Sequence, residues 1–177
     1  MKLIRSVQLF CFVVYALILH LPAVADQSSN TLAESDRKAI SKIIDDYFGA
    51  WEPQRISAKE LIAMSERIFE TGPTFSMVVD AVYCSSWDAR VPKIPGFVEE
   101  TKAEDKEAKH HTLDERMLAL AQDAAVLTRF YRYTFTEVSG KHGHQDSAIT
   151  VVFKRLGGNW KIMQYHGSHG EREYDNQ

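Results

Sequence analysis

The second half of the chain, from residue 112 onward, carries a succession of strand-like segments joined by short turns. The longest, "AVLTRFYRYTFT" at 125–136, is rich in β-branched and aromatic residues, which favour strands. Ser139-Gly140 and Gly157-Gly158-Asn159 are typical of hairpin turns. The pattern predicts an antiparallel meander, and a sheet of this length needs a second layer over one face.

A predicted helix near residue 40 supplies that layer. Apolar side chains recur there at helical spacing: Ile40, Ile43, Ile44, Tyr47, Phe48 and Trp51. The sequences at 31–34 and 57–60 both fit the capping box that opens a helix, so a second, shorter helix is predicted before Gly72-Pro73. Two helices followed by an antiparallel sheet predict the α+β class.

The segment between these halves has a weaker pattern. A strand is predicted at 75–79, and residues 80–97 mix aromatic side chains with turn-forming residues and are expected to be irregular. The run "EETKAEDKEAK" at 99–109 has no apolar stripe, so a solvated helix or loop is expected there.

The first 25 residues are predicted to be a secretory signal peptide. Lys2 and Arg5 precede an apolar run, and Ala23-Val24-Ala25 has the small-residue pattern of a cleavage site. A membrane anchor is the alternative, but the run is short for a span. Residues 26–177 then form a single domain, expected in the periplasm or secreted, with no membrane contact after cleavage.

Net charge and cysteine content bear on two questions: whether the protein binds nucleic acid and whether it forms disulfide bonds. The chain has a net charge of −3, and losing Lys2 and Arg5 makes it more negative, which argues against nucleic acid as a partner. Only Cys84 follows the predicted signal, so no internal disulfide is expected. A small buried side chain is the expected role of Cys84; a nucleophile or an intermolecular link is the alternative.

Several motifs together resemble a known superfamily. They are Asp123-Ala124-Ala125, Thr150-Val151-Val152-Phe153, the Gly158 turn, Trp160-Lys161 with His166 and Ser168, and Tyr47-Phe48 with Trp51 in the first helix. These residues resemble the nuclear transport factor 2-like superfamily (NTF2-like). Within it, the chain is most similar to SnoaL-like domains and to the association (hub) domain of calcium/calmodulin-dependent protein kinase II. Residues 112–169 match well and 31–70 loosely, whereas 75–111 do not match convincingly.

The resemblance implies a cone-shaped α+β barrel, in which a curved antiparallel sheet wraps around the long first helix and leaves a pocket at its open end. It also implies that Tyr131 and His166 face inward, and it suggests a homodimer or higher homo-oligomer built through the outer sheet face. The superfamily includes isomerases, dehydratases, cyclases, epoxide hydrolases and non-enzymatic modules, so the fold does not select an activity.

Candidate ligand-binding residues follow from side-chain type and strand alternation. Aromatic side chains suit a mainly apolar small-molecule pocket, and an arginine could bind a carboxylate in bidentate fashion. Residues two apart on a strand share a face, which groups Arg129 with Tyr131. The candidates are Tyr47, Trp51, Tyr83, Trp87, Arg129 and Tyr131. Plain core packing is the alternative for Tyr47 and Trp51.

Candidate acid–base residues need a pKa tuned near neutrality. His166 qualifies by type, and Asp80 or Asp88 would qualify if a pocket raised its pKa, with Asp88 preferred because it adjoins Trp87. Strict alternation points His166 and His169 to opposite strand faces, so they are not expected to share a metal ion, and His169 is set aside. No metal site and no cofactor are predicted.

Three functions remain open at this point. The leading hypothesis is an exported protein that binds a small, mainly apolar molecule in the cone. The second is an isomerase, dehydratase or cyclase that uses acid–base residues in the same pocket. The third is an oligomeric assembly module.

Overall fold

The computed structural model describes residues 31–175. They form two helices, a short hairpin, a helical segment and four long strands. The elements are α1 (Glu34–Ala50), α2 (Ala58–Ile68), β1 (Ser76–Val79), β2 (Val82–Cys84), α3 (Trp87–Arg90), a 3-10 turn (Val91–Lys93), α4 (Ile94–Glu104), β3 (Asp105–Ala121), β4 (Ala124–Glu137), β5 (His142–Leu156) and β6 (Asn159–Tyr174).

The predicted signal peptide, residues 1–25, lies outside the described residues and stays a prediction. Within 31–175, no helix is long and apolar enough to cross a membrane.

The strands form one curved, open sheet in the order β2-β1-β6-β5-β4-β3. Antiparallel hairpins join β3 to β4, β4 to β5 and β5 to β6, which confirms the predicted meander and the α+β class. The short strand β1 adds to β6 in parallel, a pairing that the sequence did not predict.

Helix α1 buries its apolar stripe against one face of the sheet, here called the inner face. Ile40 and Ile44 are fully buried in a core that includes Leu127, Val151 and Phe153. Burying a side chain of this size contributes about 1.5–3 kcal/mol, so the helix depends on the sheet for most of its stability.

A buried arginine fixes the position of α1 on the sheet. The Arg129 guanidinium on β4 donates to Asp45 of α1 and to Glu115 of β3. Arg129 is only 3% exposed, so its charge is compensated within the fold. A similar contact lies at the start of the helix, where Asp36 accepts from Trp160 Nε1 at 3.1 Å and from Arg155.

Local details differ from the sequence expectations. The capping box predicted at 31–34 is wrong. The helix begins at Glu34 with Ala33 as its N-cap residue, and no side chain makes a capping hydrogen bond there. Ser57 is the N-cap of α2, but its side chain makes no capping hydrogen bond. Residues 80–97 are more regular than predicted, and the charged run at 99–109 divides into the end of α4 and the start of β3.

Strand β6 contains two β-bulges, and each one reverses which side chains of the strand face the inner side of the sheet. Val152 pairs with Gln164 and Phe153 with Ile162, so Met163 is an extra residue in the ladder. Gln145 pairs with Arg172 and Ser147 with His169, so β6 has a second extra residue between His169 and Arg172. At the second bulge, a Cβ on Gly170 would lie 2.5 Å from the carbonyl oxygen of Asp146, so only glycine fits there.

The β1–β2 hairpin closes through a two-residue turn with unfavourable backbone angles. Asp80 and Ala81 have φ of 47° and 66°, the left-handed region that suits glycine or asparagine. Each costs on the order of 1 kcal/mol.

Replacing Ala81 with glycine tests that strain. We expect Ala81→Gly to raise the free energy of unfolding by about 0.5–1 kcal/mol, because Ala81 is exposed and glycine adopts its φ without a steric penalty. The same exchange at Ala63, exposed within α2, should instead lower it by about 0.5–1 kcal/mol. Urea unfolding measures both, and destabilisation by Ala81→Gly would contradict the strain.

Candidate functional site

A cavity of about 470 Å³ opens beyond the second half of α1. Helix α1, helix α4 and the inner face of the sheet enclose it, and much of its lining is aromatic. The aromatic side chains that contribute are Tyr47, Phe48, Trp51, Phe97, Tyr131, Tyr133 and Tyr165. A volume of this order is usual for a small-molecule site.

Arg172 and its carboxylate partners form one polar wall. The Arg172 guanidinium, on β6, donates to both carboxylate oxygens of Asp105, at 3.0 and 2.7 Å, and lies 3.4 Å from Glu104. Asp105 is buried and also accepts from the Tyr133 hydroxyl at 2.9 Å. The charge of Arg172 is therefore satisfied by the protein itself.

Asp80 and His169 form a second polar group, at the rim of the cavity. The ring Nδ1 of His169 lies 2.5 Å from Asp80 Oδ2, and the backbone N–H of His169 donates to Asp80 Oδ1 at 2.9 Å. Burial opposes ionisation of Asp80, but these hydrogen bonds outweigh it and lower the pKa of its carboxyl. Asp80 therefore stays ionised and orients the imidazole, leaving Nε2 to act elsewhere.

His110 lies deeper, among aromatic rings. Its ring stacks on Phe48 with centroids 4.6 Å apart and lies 5.0 Å from Tyr133. Burial, with nearby positive charges, lowers the pKa of His110 from 6.5 to about 4. Its Nδ1 is buried and has no hydrogen-bond partner among the described residues. His110 is therefore neutral at pH 7.

The tyrosines around the cavity are poor acids. Burial raises the pKa of Tyr131 to about 12 and that of Tyr165 well above 10. Burial and the carboxylate of Asp105 also raise the pKa of Tyr133. At neutral pH these hydroxyls can donate hydrogen bonds but do not ionise.

Arg90 is the remaining cationic side chain that lines the cavity. It ends α3 and is 8% exposed. Its guanidinium lies 4.9 Å from the Phe97 ring centroid and 5.8 Å from that of Trp51. Within residues 31–175, no carboxylate forms an ion pair with it.

The structure brings three of the predicted ligand-binding residues to the cavity. Tyr47 and Trp51, on α1, and Tyr131, on β4, all line it. The rings of Tyr47 and Trp51 also contact each other edge to face at 6.2 Å, so packing and lining coincide. The inward orientation expected for Tyr131 is correct.

The other ligand-binding candidates and Asp88 do not reach the cavity. Tyr83 is 62% exposed, because its neighbours Val82 and Cys84 take the inward positions of β2. Trp87 packs in the core against Phe69 and Phe75, and Arg129 is held by its two ion pairs. Asp88 is exposed on α3.

The expectation that His166 faces the cone is wrong. The bulge at Met163 reverses the alternation, so Tyr165 and His169 line the cavity while His166 is exposed on the outer sheet face, opposite Thr150. The two histidines do lie on opposite faces, as predicted, but their assignment is reversed. His169, set aside from the sequence, is the one that lines the site.

Several polar residues of the site were missed or ranked too low: Asp80, Arg90, Asp105, His110, His169 and Arg172. One signal in the sequence could have identified Asp80: it directly follows the predicted strand at 75–79, whereas the adjacent Trp87 led to a preference for Asp88. The others depend on bulges and on contacts between residues distant in sequence.

Metal ligation finds no support in the described part of the chain. Among residues 31–175, no three His, Cys, Asp or Glu side chains lie close enough to hold a metal ion. The absence of a metal site stays a prediction. Cys84 is buried, as expected for its packing role, and lines the cavity 3.9 Å from Lys93 Nζ.

Comparison with known families gives a clear match. A family described as the calcium/calmodulin dependent protein kinase II association domain matches residues 79–170, just over half of the chain. The match includes residues 79–111, which the sequence motifs had left unassigned. The predicted resemblance is thereby confirmed. No curated protein sequence matches the chain.

Solved structures of the same fold come from proteins of varied description. An NTF2-like superfamily protein from Salmonella enterica has 14% identity and a TM-score of 0.59, covering 76% of this chain and 91% of its own. A proposed scytalone dehydratase from Novosphingobium aromaticivorans has 12% identity and a TM-score of 0.61, covering 81% and 89%. A hexachlorocyclohexane dehydrochlorinase from Novosphingobium barchaimii has 12% identity and a TM-score of 0.61, covering 80% of this chain and 90% of its own. At these identities the likeness establishes the fold alone.

The low pKa of His110 predicts acid sensitivity. The unfolded chain binds a proton at His110 below pH 6.5, whereas the folded protein binds it only near pH 4. The contribution of neutral His110 to the free energy of unfolding is therefore fully present above pH 6.5. It is lost as the pH falls towards 4, which lowers the free energy of unfolding by roughly 2–3 kcal/mol.

Chemical unfolding between pH 8 and 4 measures this loss. We expect His110→Phe, which keeps the stacking on Phe48, to remove that part of the pH dependence. His111→Phe makes the same exchange on the exposed neighbour and controls for loss of an imidazole. A His110→Phe profile parallel to the wild-type profile would contradict the assignment.

Proposed function

The chain belongs to the calcium/calmodulin dependent protein kinase II association domain family, and we propose that it is an exported protein whose cone binds a small, mainly apolar molecule. Export rests on the signal-like residues 1–25 and places the protein in the periplasm or outside the cell. Mass spectrometry of the purified protein tests it: an N-terminus at Asp26 supports cleavage, and an intact Met1 would contradict it.

The open aromatic cavity is the observation that carries the binding proposal. The first half of α1 is packed in the core, and Tyr47, Phe48 and Trp51 near its end contact the core and also border a cavity of about 470 Å³. Mainly apolar walls with a few polar groups suit a small ligand. The sequences of its structural relatives are too different to supply the identity of that ligand.

A neutral bicyclic probe, 1-naphthol, tests the proposal. We expect saturable binding, seen as a rise in melting temperature and by calorimetry. Trp51→Ala should weaken it about tenfold, because one ring of the aromatic wall is lost. Phe130→Ala removes an aromatic side chain from the outer face and should leave the affinity unchanged. The proposal fails if neither 1-naphthol nor a library of comparable compounds binds saturably.

The Asp80–His169 pair favours a second candidate, acid–base catalysis of the isomerase, dehydratase or cyclase type. An ionised carboxylate 2.5 Å from Nδ1 fixes the tautomer and leaves Nε2 free to accept a proton. The tyrosine hydroxyls remain protonated and could hydrogen-bond to a developing oxyanion. The reaction would then be proton abstraction beside an electron-withdrawing group.

Variants of the pair test catalysis on any compound that binds. We expect His169→Gln to abolish turnover, and Asp80→Asn to lower it about 100-fold or more, with both proteins folded by circular dichroism. His166→Gln, the same exchange on the outer face, should leave turnover intact. Proton exchange at unchanged rate in His169→Gln would remove the candidate.

Self-association is a third candidate, favoured by the outer sheet face. Phe130, Leu118 and Leu120 lie on this face with 48%, 61% and 51% of their surface exposed. Apolar side chains on an open sheet face are common at interfaces between copies of a chain. We expect a homodimer or larger homo-oligomer in sedimentation velocity, and Phe130→Asp should dissociate it. A wild-type monomer at micromolar concentration would contradict the candidate.

A further inference from the structure

The cavity wall includes a thiol that neither ligand packing nor the acid–base pair uses. Cys84, at the end of β2, lines the cavity and is the one cysteine that follows the predicted signal. The residue is 2% exposed, so a reagent reaches its sulfur from the cavity. A cysteine of a second protein molecule cannot approach it there, which argues against the intermolecular link considered from the sequence. The reaction partner that this thiol can meet is a small molecule held in the cone.

A cation stands beside this sulfur. Lys93, in the 3-10 turn that follows α3, has its Nζ 3.9 Å from Cys84 Sγ, to which it donates. The thiolate is the nucleophilic form of cysteine, and a neighbouring ammonium attracts its negative charge. Within residues 31–175, Lys93 forms no ion pair with a carboxylate. Its charge is therefore free to act on the sulfur.

The strand pairings place Cys84 in one row with Tyr165. Met77 on β1 pairs with Cys84 on one side and with Tyr165 of β6 on the other. Residues directly opposite each other on neighbouring strands share a face, and all three line the cavity. Because neighbouring strands are about 4.8 Å apart, the Cα atoms of Cys84 and Tyr165 are separated by roughly 10 Å. One small molecule lying over Met77 can contact both side chains.

Two tyrosine hydroxyls beside this row have no partner. Tyr47 and Tyr165 are 5% and 6% exposed, their ring centroids are 5.9 Å apart, and both line the cavity. Neither hydroxyl has a hydrogen-bond partner among the described residues. A buried hydroxyl without a partner costs free energy, which an acceptor atom on a ligand would offset. Burial raises the pKa of Tyr165, so its hydroxyl stays protonated and can donate to a ligand oxygen.

From this we infer that Cys84 is a nucleophile that captures an α,β-unsaturated carbonyl compound held in the cone. The inference rests on the proposed binding function and adds the chemical class of the ligand and a covalent step. A conjugated carbonyl compound with a ring is mainly apolar and suits the aromatic wall, while its oxygen suits the two unpartnered hydroxyls. Its electrophilic β-carbon then lies on the side of Cys84.

The step is an addition that has no leaving group and needs no oxidant. A lone pair of the Cys84 thiolate forms a C–S bond at the β-carbon, and the π pair of the C=C bond moves towards the carbonyl oxygen. The Tyr165 hydroxyl donates to that oxygen as its negative charge grows. The thiol proton passes to water and the α-carbon takes a proton from water. The sum is S–H added across the double bond, which leaves a thioether on Cys84.

The rate of labelling by N-phenylmaleimide, a conjugated carbonyl compound with an aromatic ring, tests the inference at pH 7. We expect one label per chain, mapped to Cys84 and not Cys11 by peptide mass spectrometry, with a rate that saturates as the probe concentration rises. N-phenylsuccinimide has the same shape without the double bond and should slow labelling by competition. Relative to glutathione as the thiol, the preference for N-phenylmaleimide over N-ethylmaleimide should be at least tenfold larger at Cys84.

Variants separate the nucleophile from the group that assists it. Cys84→Ser should take up no label, with an unchanged circular dichroism spectrum. Lys93→Met should lower the limiting rate about tenfold and leave the half-saturating concentration within about twofold, because the ammonium acts on the sulfur and not on the bound probe. Lys102→Met removes an exposed lysine from α4 and should change neither quantity.

The outcomes separate this inference from the function on which it rests. If labelling stays linear in probe concentration, if N-phenylsuccinimide does not slow it, or if Lys93→Met reacts at the wild-type rate, the covalent assignment is overturned, and saturable binding of 1-naphthol still supports the binding function. If neither N-phenylsuccinimide, 1-naphthol nor any library compound binds, the binding function itself fails. The wild-type rates need no variant, and Cys84→Ala replaces Cys84→Ser if the latter does not fold.

Discussion

The placement of helix α1 on the inner sheet face is the constraint on which the rest of the structure depends. Ile40 and Ile44 are fully buried in the part of the cone that side chains fill. The ion pairs of Arg129 with Asp45 and Glu115 hold the helix at one position along the sheet. Because α1 is held there, Tyr47 and Trp51 at its C-terminal end pack against the core and also form one wall of the cavity.

The cavity combines groups that the protein has neutralised with one that it has not. Asp105 and Arg172 compensate each other, and the buried imidazole of His110 is neutral because its pKa is low. These groups shape the wall without attracting a strongly charged molecule. Two polar groups of the wall differ in kind: Arg90 has no ion pair among residues 31–175, whereas the imidazole of His169 is held by the carboxylate of Asp80.

The sequence predicted the large periodic elements better than the site. The stripe of α1 and the alternation of β4, with Arg129, Tyr131 and Phe135 buried on one face, follow from repeats that many residues support together. Arg129 does not line the cavity; it pairs with Asp45 and Glu115, and the sequence did not show this because Asp45 lies 84 residues away. The middle segment was also harder to predict, because α4 passes directly into β3 within a charged run that has no turn signal.

The two bulges of β6 have a consequence for how this cone could change during evolution. Substitution alters a pocket one side chain at a time, whereas flattening the first bulge, with Met163 taken into the ladder, would exchange the inward and outward sets of the following strand together. Tyr165 and His169 would give way to their neighbours His166 and Ser168 without any change in the residues themselves. Deletion of Met163, by contrast, would remove the bulge and keep Tyr165 and His169 inward, so the side chains that face the pocket are set by whether residue 163 takes part in the ladder.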